Sequence, residues 1–385
     1  KLEKDKFEIP IWIQDIKDKS TFKFYRKEKG ELLTYSPNEQ LYKVSSKSLA
    51  FNLIKTKNKK PIFEHWSASL HDIGDDVLGL EMHSVLQPKL NPIDGSVMET
   101  IKYAIDYAED NKCKGIIISS DGPNFSAGAN ITMILNAINR KDWKAIDKLI
   151  SQMQTILQQL KYSNIPVIAA PFGFVLGGGV ELISACNKVV AAPECYLGLV
   201  EVGIGLIPGA GGNLRMLSHL SNREKTIIPG NFQVVQKSFE TIGFAKIATS
   251  ALHGKNLGYL EDDDLIIMNR DRLLKTAKES LIKLADTYEK PNPEEFKLPG
   301  ASGRLAIETS IKGFLKTKKI SEHDALIARK LSFVLTGGDK GGPFSPVSEQ
   351  YLLDIERDAF LSLCGEQKTA DRIQYMLKVG KPLRN

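Results

Sequence analysis

Apolar residues recur at helical spacing over Ser96 to Asn111, where Val97, Ile101, Ile105 and Ala108 fall on one face. The period returns over Lys141 to Tyr162 through Trp143, Ile146, Leu149, Ile150, Met153, Ile156, Leu157 and Leu160, and Asn164-Ile165-Pro166 stops it. Elsewhere the apolar residues gather in short runs. Gly115 to Ser119 (GIIIS) is continuous and bounded by polar residues, as expected of a strand buried on both faces. Val77 to Met82 alternates loosely and Val167 to Ala170 is a further buried strand. Strands alternating with helices predict an α/β fold.

Downstream, Pro171 to Arg215 reads as a strand, a triple-glycine turn into a short helix (Gly177 to Asn187), a second strand (Lys188 to Ala192) and a second glycine-rich turn. Three consecutive glycines suggest that something approaches the backbone closely at Gly177, Gly178 and Gly179. The first N–H groups of a helix lack internal partners and carry the positive end of its dipole, so this turn can hold an oxyanion. Glu181 lies in that first turn, and Glu201 lies close to the second glycine-rich turn. Beyond it, Asn222 to Ser250 is predicted helical with a break at Pro229-Gly230. Ile320 to Leu335 and Val347 to Leu363 read as amphipathic helices flanking the loop Gly337 to Pro346.

Charge and composition narrow the classes. A net charge of +6 is mild and spread out, and no nucleic-acid module accompanies the block Lys55-Thr56-Lys57-Asn58-Lys59-Lys60, which reads as a solvated linker. No apolar run approaches the roughly 18 residues of a membrane span. Cys113, Cys186, Cys195 and Cys364 lack CxxC spacing, which disfavours a zinc site or a disulfide framework and suits buried thiols in a reducing cytoplasm. His83 and His323 read as structural or surface residues, so no metal is expected. The triplet Asp262-Asp263-Asp264 reads as a turn with solvated charges, having no EF-hand spacing.

Three ordered motifs carry a resemblance. Asn124-Phe125-Ser126-Ala127-Gly128-Ala129-Asn130-Ile131, then GGGVE, then VEVGIGLIPGAGG, are similar to those of the enoyl-CoA hydratase/isomerase (crotonase) family. The resemblance implies a crotonase-like spiral of ββα repeats with a helical C-terminal region. It implies an oxyanion hole made by the backbone N–H groups of Ala129 and Gly178, with Glu181 as the base activating water and Glu201 as the acid protonating C2 of an enoyl-CoA. Ala127, Gly128, Asn130, Gly177, Gly179 and Gly209 then line the coenzyme A thioester, and Lys89 is its phosphate partner. Asn130 and Thr132 stand where many hydratases carry an acidic residue and a lysine.

The first residues, from Phe7 to Gly30, resemble the end of a 3-hydroxyacyl-CoA dehydrogenase. The expected organisation is therefore a dehydrogenase-like tail (1–30), a linker (31–68), a crotonase core (69–265) and a helical extension (266–385). No GxGxxG follows a strand near the start, and Gly209-Ala210-Gly211-Gly212 fails the spacing because Leu214 occupies the last glycine position. NAD would thus belong only to a dehydrogenase portion of a longer parent protein, and this chain would need acyl-CoA as substrate and no cofactor. The expected activity is hydration of trans-2-enoyl-CoA. Isomerisation or thioester hydrolysis on the same fold, and a non-catalytic assembly module, are the alternatives. Simple crotonases form trimers, so a homo-oligomer is one expectation. A tail standing in for a neighbouring subunit is the other.

Overall fold

The computed structural model describes residues 24–28, 31–36, 39, 41–44, 60–120, 122–223 and 230–385. The apolar piece read around Ile11 to Ile16, nearly all of the lysine-rich block and Pro229 lie outside the described residues. The chain divides into two units, Lys1–Phe51 and Asn52–Asn385. In the first, β1 (Tyr25–Glu28), β2 (Glu31–Ser36) and β3 (Leu41–Val44) form an antiparallel sheet. Tyr35 pairs with Tyr42 across it, their rings edge-on at 5.4 Å, and the Arg26 guanidinium stacks 3.8 Å from the Tyr42 centroid. Strands therefore occupy part of the stretch that the sequence reading treated as linker.

The second unit is wound around a seven-stranded sheet. Its N-terminal edge is antiparallel: β4 (Phe63–Glu64), β5 (Ala68–Asp72) and β6 (Val77–Met82). After α1 (Gly95–Asp110) comes β7 (Gly115–Ser120), parallel to β6 with Leu78 opposite Ile116. Every residue of β6 and β7 is buried, as the unbroken apolar run of β7 predicts for a central strand. Two helices follow, α2 (Ile131–Asn139) and α3 (Trp143–Lys161), then β8 (Val167–Ala169) parallel to β7. Asp94, Asn130 and Asp142 each start one of these three helices by accepting an N–H bond from Val97, Thr132 and Ala145.

From β8 the chain leaves the main sheet. β9 (Gly173–Leu176) runs into α4 (Gly178–Ser184), and β10 (Lys188–Ala191) returns to the main sheet beside β8. β11 (Cys195–Gly198) then pairs in parallel with β9. Bridges Ile93↔Ala129, Ser126↔Val175 and Leu197↔Ala248 extend this pair sideways into a second, smaller layer. The repeated strand–strand–helix turn is the crotonase-like spiral. The glycine motifs sit where its two layers meet.

The remainder is mostly helical: α5 (Gly212–Asn222), α6 (Phe232–Gly243), α7 (Ala251–Leu257), the edge strand β12 (Leu265–Ile266), α8 (Leu273–Ala285) and β13 (Glu295–Phe296). Then come α9 (Gly300–Lys316), α10 (Glu322–Leu335), β14 (Val347–Ser348), α11 (Glu349–Cys364) and α12 (Gln367–Val379). β12 pairs with β10, and β13 with β14. One expectation is corrected here. Asp264 is buried, not solvated, because its carboxylate accepts the Val189 and Glu261 N–H groups at 2.7 and 2.8 Å and so fastens the turn to β10. Among the described residues no helix is long and apolar enough to cross a membrane.

Candidate active site

Asn91 builds the first wall. Buried and held at a positive φ of 46°, it accepts the Ser84 N–H and donates to the carbonyls of Met82 and Phe125 and to the Ser120 hydroxyl. That hub fixes the Ala127 loop, whose N–H bonds the Leu90 carbonyl at 2.7 Å. Ile93 then bonds across to Gly128 and Asn130, leaving the Ala129 N–H between them without an acceptor among the described residues.

The second wall is the start of α4. Gly177 turns the chain with φ 51°, and Gly178 begins the helix with its N–H likewise uncommitted. A Cβ on Gly178 would lie 3.2 Å from the Ala129 nitrogen, and one on Gly128 would lie 3.2 Å from the Gly178 nitrogen. Both free donors thus open on the same small space. The three glycines do different things. Gly178 keeps that space clear, a Cβ on Gly177 would approach Glu201 Oε1 at 3.2 Å, and Gly179 packs against the Ser126 backbone, where a Cβ would come within 3.0 Å.

Glu181 and Glu201 complete the site. Glu181 is buried on α4, and its Oε1 accepts the N–H groups of Ala210 and Gly212 at 2.8 and 2.9 Å. Burial pushes its carboxyl up to about 7, with those N–H bonds pulling the other way. Glu201 opens a short 3-10 helix (Glu201–Ile204). Its Oε2 is enclosed without a hydrogen-bond partner among the described residues, and burial plus the charges of Glu181 and Glu356 hold its carboxyl well above the ordinary range. The Ala210 and Gly212 N–H bonds favour the charged form of Glu181, and the charge of Glu181 in turn favours the protonated form of Glu201.

The other sequence-derived positions fall around this centre in different ways. Lys89 is exposed on the loop before Asn91, its carbonyl accepting the Asn124 amide at 2.9 Å. The Asn130 side chain caps α2. Gly209 packs against α11, where a Cβ would strike the Phe360 ring at 2.8 Å. Sequence reasoning missed Glu356 of α11, which is fully buried against the same turn. A signal was available: Glu356 interrupts an apolar stripe at helical spacing with Leu352, Ala359, Phe360 and Leu363.

These buried carboxyls set a pH dependence of stability. A carboxyl raised from 4.5 to about 7 in the folded chain binds more protons there than in the unfolded chain, so stability falls as pH rises through that window. Glu356, raised to about 8, extends the fall upward. His219, lowered from 6.5 to about 4 by burial, acts oppositely but only below 6.5. Thermal unfolding followed by circular dichroism should therefore show Tm decreasing from about pH 6.5 to pH 8, and less steeply in Glu181→Gln. A rising Tm over that range would contradict the burial of these groups.

Comparison with known proteins bears on the family and the fold. The enoyl-CoA hydratase/isomerase family profile matches residues 79–226. A Bacillus subtilis protein called "Probable 3-hydroxyacyl-CoA dehydrogenase" is 40% identical over 389 residues, covering 100% of this chain and 48% of that protein. A Rickettsia felis protein described as a fatty acid oxidation complex trifunctional enzyme is 27% identical, covering 89% of this chain and 43% of its own length. The chain thus spans about half the length of the curated relatives it matches, or less. The crystal structure of an enoyl-CoA hydratase from Bacillus halodurans superposes with a TM-score of 0.54 at 16% identity, over 80% of this chain and 99% of that one. It shares the fold.

Proposed function

Residues 79–226 belong to the enoyl-CoA hydratase/isomerase family, and from that premise we propose that this chain adds water reversibly to trans-2-enoyl-CoA, giving 3-hydroxyacyl-CoA. The thioester oxygen sits between the N–H groups of Ala129 and Gly178. Ionised Glu181 takes a proton from water as its oxygen bonds to C3. The alkene electrons move toward the thioester oxygen, where the two N–H groups stabilise the enolate-like charge. Glu201 delivers its proton to C2, and dehydration runs the same steps backwards.

The observation that carries this reading is a pair of carboxyls, Glu181 held by two N–H bonds and Glu201 with an enclosed, unpartnered Oε2, beside two N–H donors uncommitted among the described residues. Moving one proton along a substrate, as isomerisation does, needs a single carboxylate. Removing a proton from water and supplying another to carbon uses both. Lys89, exposed two residues before Asn91, is assigned to a coenzyme phosphate. The four free thiols support a reducing compartment such as the cytoplasm. The dehydrogenase named for the B. subtilis relative is assigned to a further domain of the same parent protein, and this chain needs no NAD.

Turnover tests this directly. The purified chain should hydrate a chain-length series of trans-2-enoyl-CoA substrates, leave 3-enoyl-CoA largely unconverted, and oxidise no 3-hydroxyacyl-CoA with NAD. Preferential conversion of 3-enoyl-CoA would make it an isomerase instead.

A further inference from the structure

The turn Gly209–Asn213 presents four successive N–H groups, and two carboxylates divide them. Ala210 and Gly212 donate to Glu181, as described. Gly211 donates to Glu356 Oε1 at 2.6 Å, and Asn213 donates to Glu356 Oε2 through its N–H at 3.1 Å and its side-chain amide at 2.8 Å. The alternation puts one carboxylate on each side of the same backbone. Glu356 comes from α11, in the C-terminal helical region, 143 residues along the chain from Asn213. The same helix touches the turn again through Phe360 against Gly209, while the Leu353 and Gly209 carbonyls share the Gln154 amide at 2.9 Å each.

Among the described residues no cation pairs with the buried Glu356. Arg357 is engaged by Asp147 and Asp354, and Arg215 by Gln158 and Glu349. The charged groups that face it are Glu181 and Glu201. Only a carboxylate offers acceptors on both oxygens to three N–H donors, and an amide would turn a donor toward one of them. Burying it without a counter-ion is costly unless every bond is made.

We propose that Glu356 is a positioning residue for hydration: by gripping Gly211 and Asn213 it sets the N–H groups of Ala210 and Gly212 that aim and charge Glu181. The inference rests on the hydratase reading for its effect on rate, but not for its effect on the turn. The C-terminal helices are therefore part of the working site. When ionised, Glu356 also adds negative charge beside Glu201 and helps Glu201 keep its proton.

Two variants of the full chain test it. Glu356→Gln keeps the size but cannot ionise and turns an NH2 toward one of these donors. Glu356→Asp keeps two acceptor oxygens and the ability to ionise on a shorter arm. In Glu356→Gln, kcat should fall by about tenfold to a hundredfold, as for a small misplacement of a catalytic group, while the Kd for a saturated acyl-CoA stays near that of wild type. The basic limb of the pH–rate profile should move to lower pH in Glu356→Gln and stay in place in Glu356→Asp. Amide hydrogen exchange at Ala210 and Gly212 should quicken in Glu356→Gln. Unchanged exchange at those two amides overturns the proposal, as does a kcat loss matched by lost acyl-CoA binding with the basic limb unmoved. If the wild-type chain hydrates no 2-enoyl-CoA, the hydratase reading fails by itself, and the exchange measurement still decides the role of Glu356.

Discussion

Replacing Gly178 by proline removes hydration, with kcat/KM falling by about a hundredfold to a thousandfold, the usual cost of about 2.7–4 kcal/mol for one oxyanion donor. The donor is a main-chain N–H, so proline is the substitution that deletes it. Proline also brings a Cβ into the gap beside the Ala129 nitrogen, so the loss beyond that of Gly178→Ala reports the missing donor. Gly178 is the first residue of α4 and its N–H makes no bond that folding would miss. Gly178→Ala tests the space instead of the donor. Its methyl would lie 3.2 Å from the Ala129 nitrogen, inside the gap where the thioester oxygen is assigned, so activity and acyl-CoA affinity should fall together. Ala129→Pro should fail from the other side of the same oxygen. Circular dichroism and urea unfolding keep a folding defect from being mistaken for a lost donor. A folded Gly178→Pro protein retaining more than about a tenth of wild-type kcat/KM would leave α4 without its assigned role.

How much of this was legible in sequence depends on the range of the interactions. Helices α1 and α3 and strands β6, β7 and β8 came from local periodicity, because each buries a face that its own residues encode. The approach of Ala129 to Gly178 did not follow from periodicity. It needs Asn91 as a hub and a bridge from Ser126 to Val175, contacts that spacing alone cannot display. Resemblance supplied those two residues, and the coordinates supply the reason they meet. Asp264 was misread because an acidic triplet looks solvated, and only β10 beside it reveals what it accepts. Glu356 was missed for the same reason: a glutamate in an amphipathic helix is ordinarily on the wet face, and its N–H partners lie on a turn far earlier in the chain. Helices α9 and α12 escaped notice too. The stripe of α9 is thin, with only Ile307 and Ile311 as large buried residues, and that of α12 is shorter still, resting on Ala370 and Ile373.

Glu181→Gln and Glu201→Gln should each lower kcat/KM by about a hundredfold or more, because each removes one of the two proton transfers. The substitutions are matched to the structure. A glutamine at position 181 can keep its oxygen on the Ala210 and Gly212 N–H groups, so the turn survives while the base is lost. At position 201 the unpartnered Oε2 becomes an amide that resembles the protonated acid in shape but has no proton to give carbon. Affinity for a saturated acyl-CoA should therefore stay close to wild type in both. The double variant should be far less than multiplicatively worse, since a base without its acid already stalls the reaction. The pH profile separates the two roles. Wild-type kcat/KM should rise as pH passes about 7, where Glu181 loses its proton, and that rise should disappear in Glu181→Gln. In Glu201→Gln the rise remains at much lower amplitude, because Glu181 still titrates. Wild-type-like turnover in either single variant would remove that carboxyl from the mechanism. Loss of the acidic limb in Glu201→Gln, with its retention in Glu181→Gln, would exchange the two assignments.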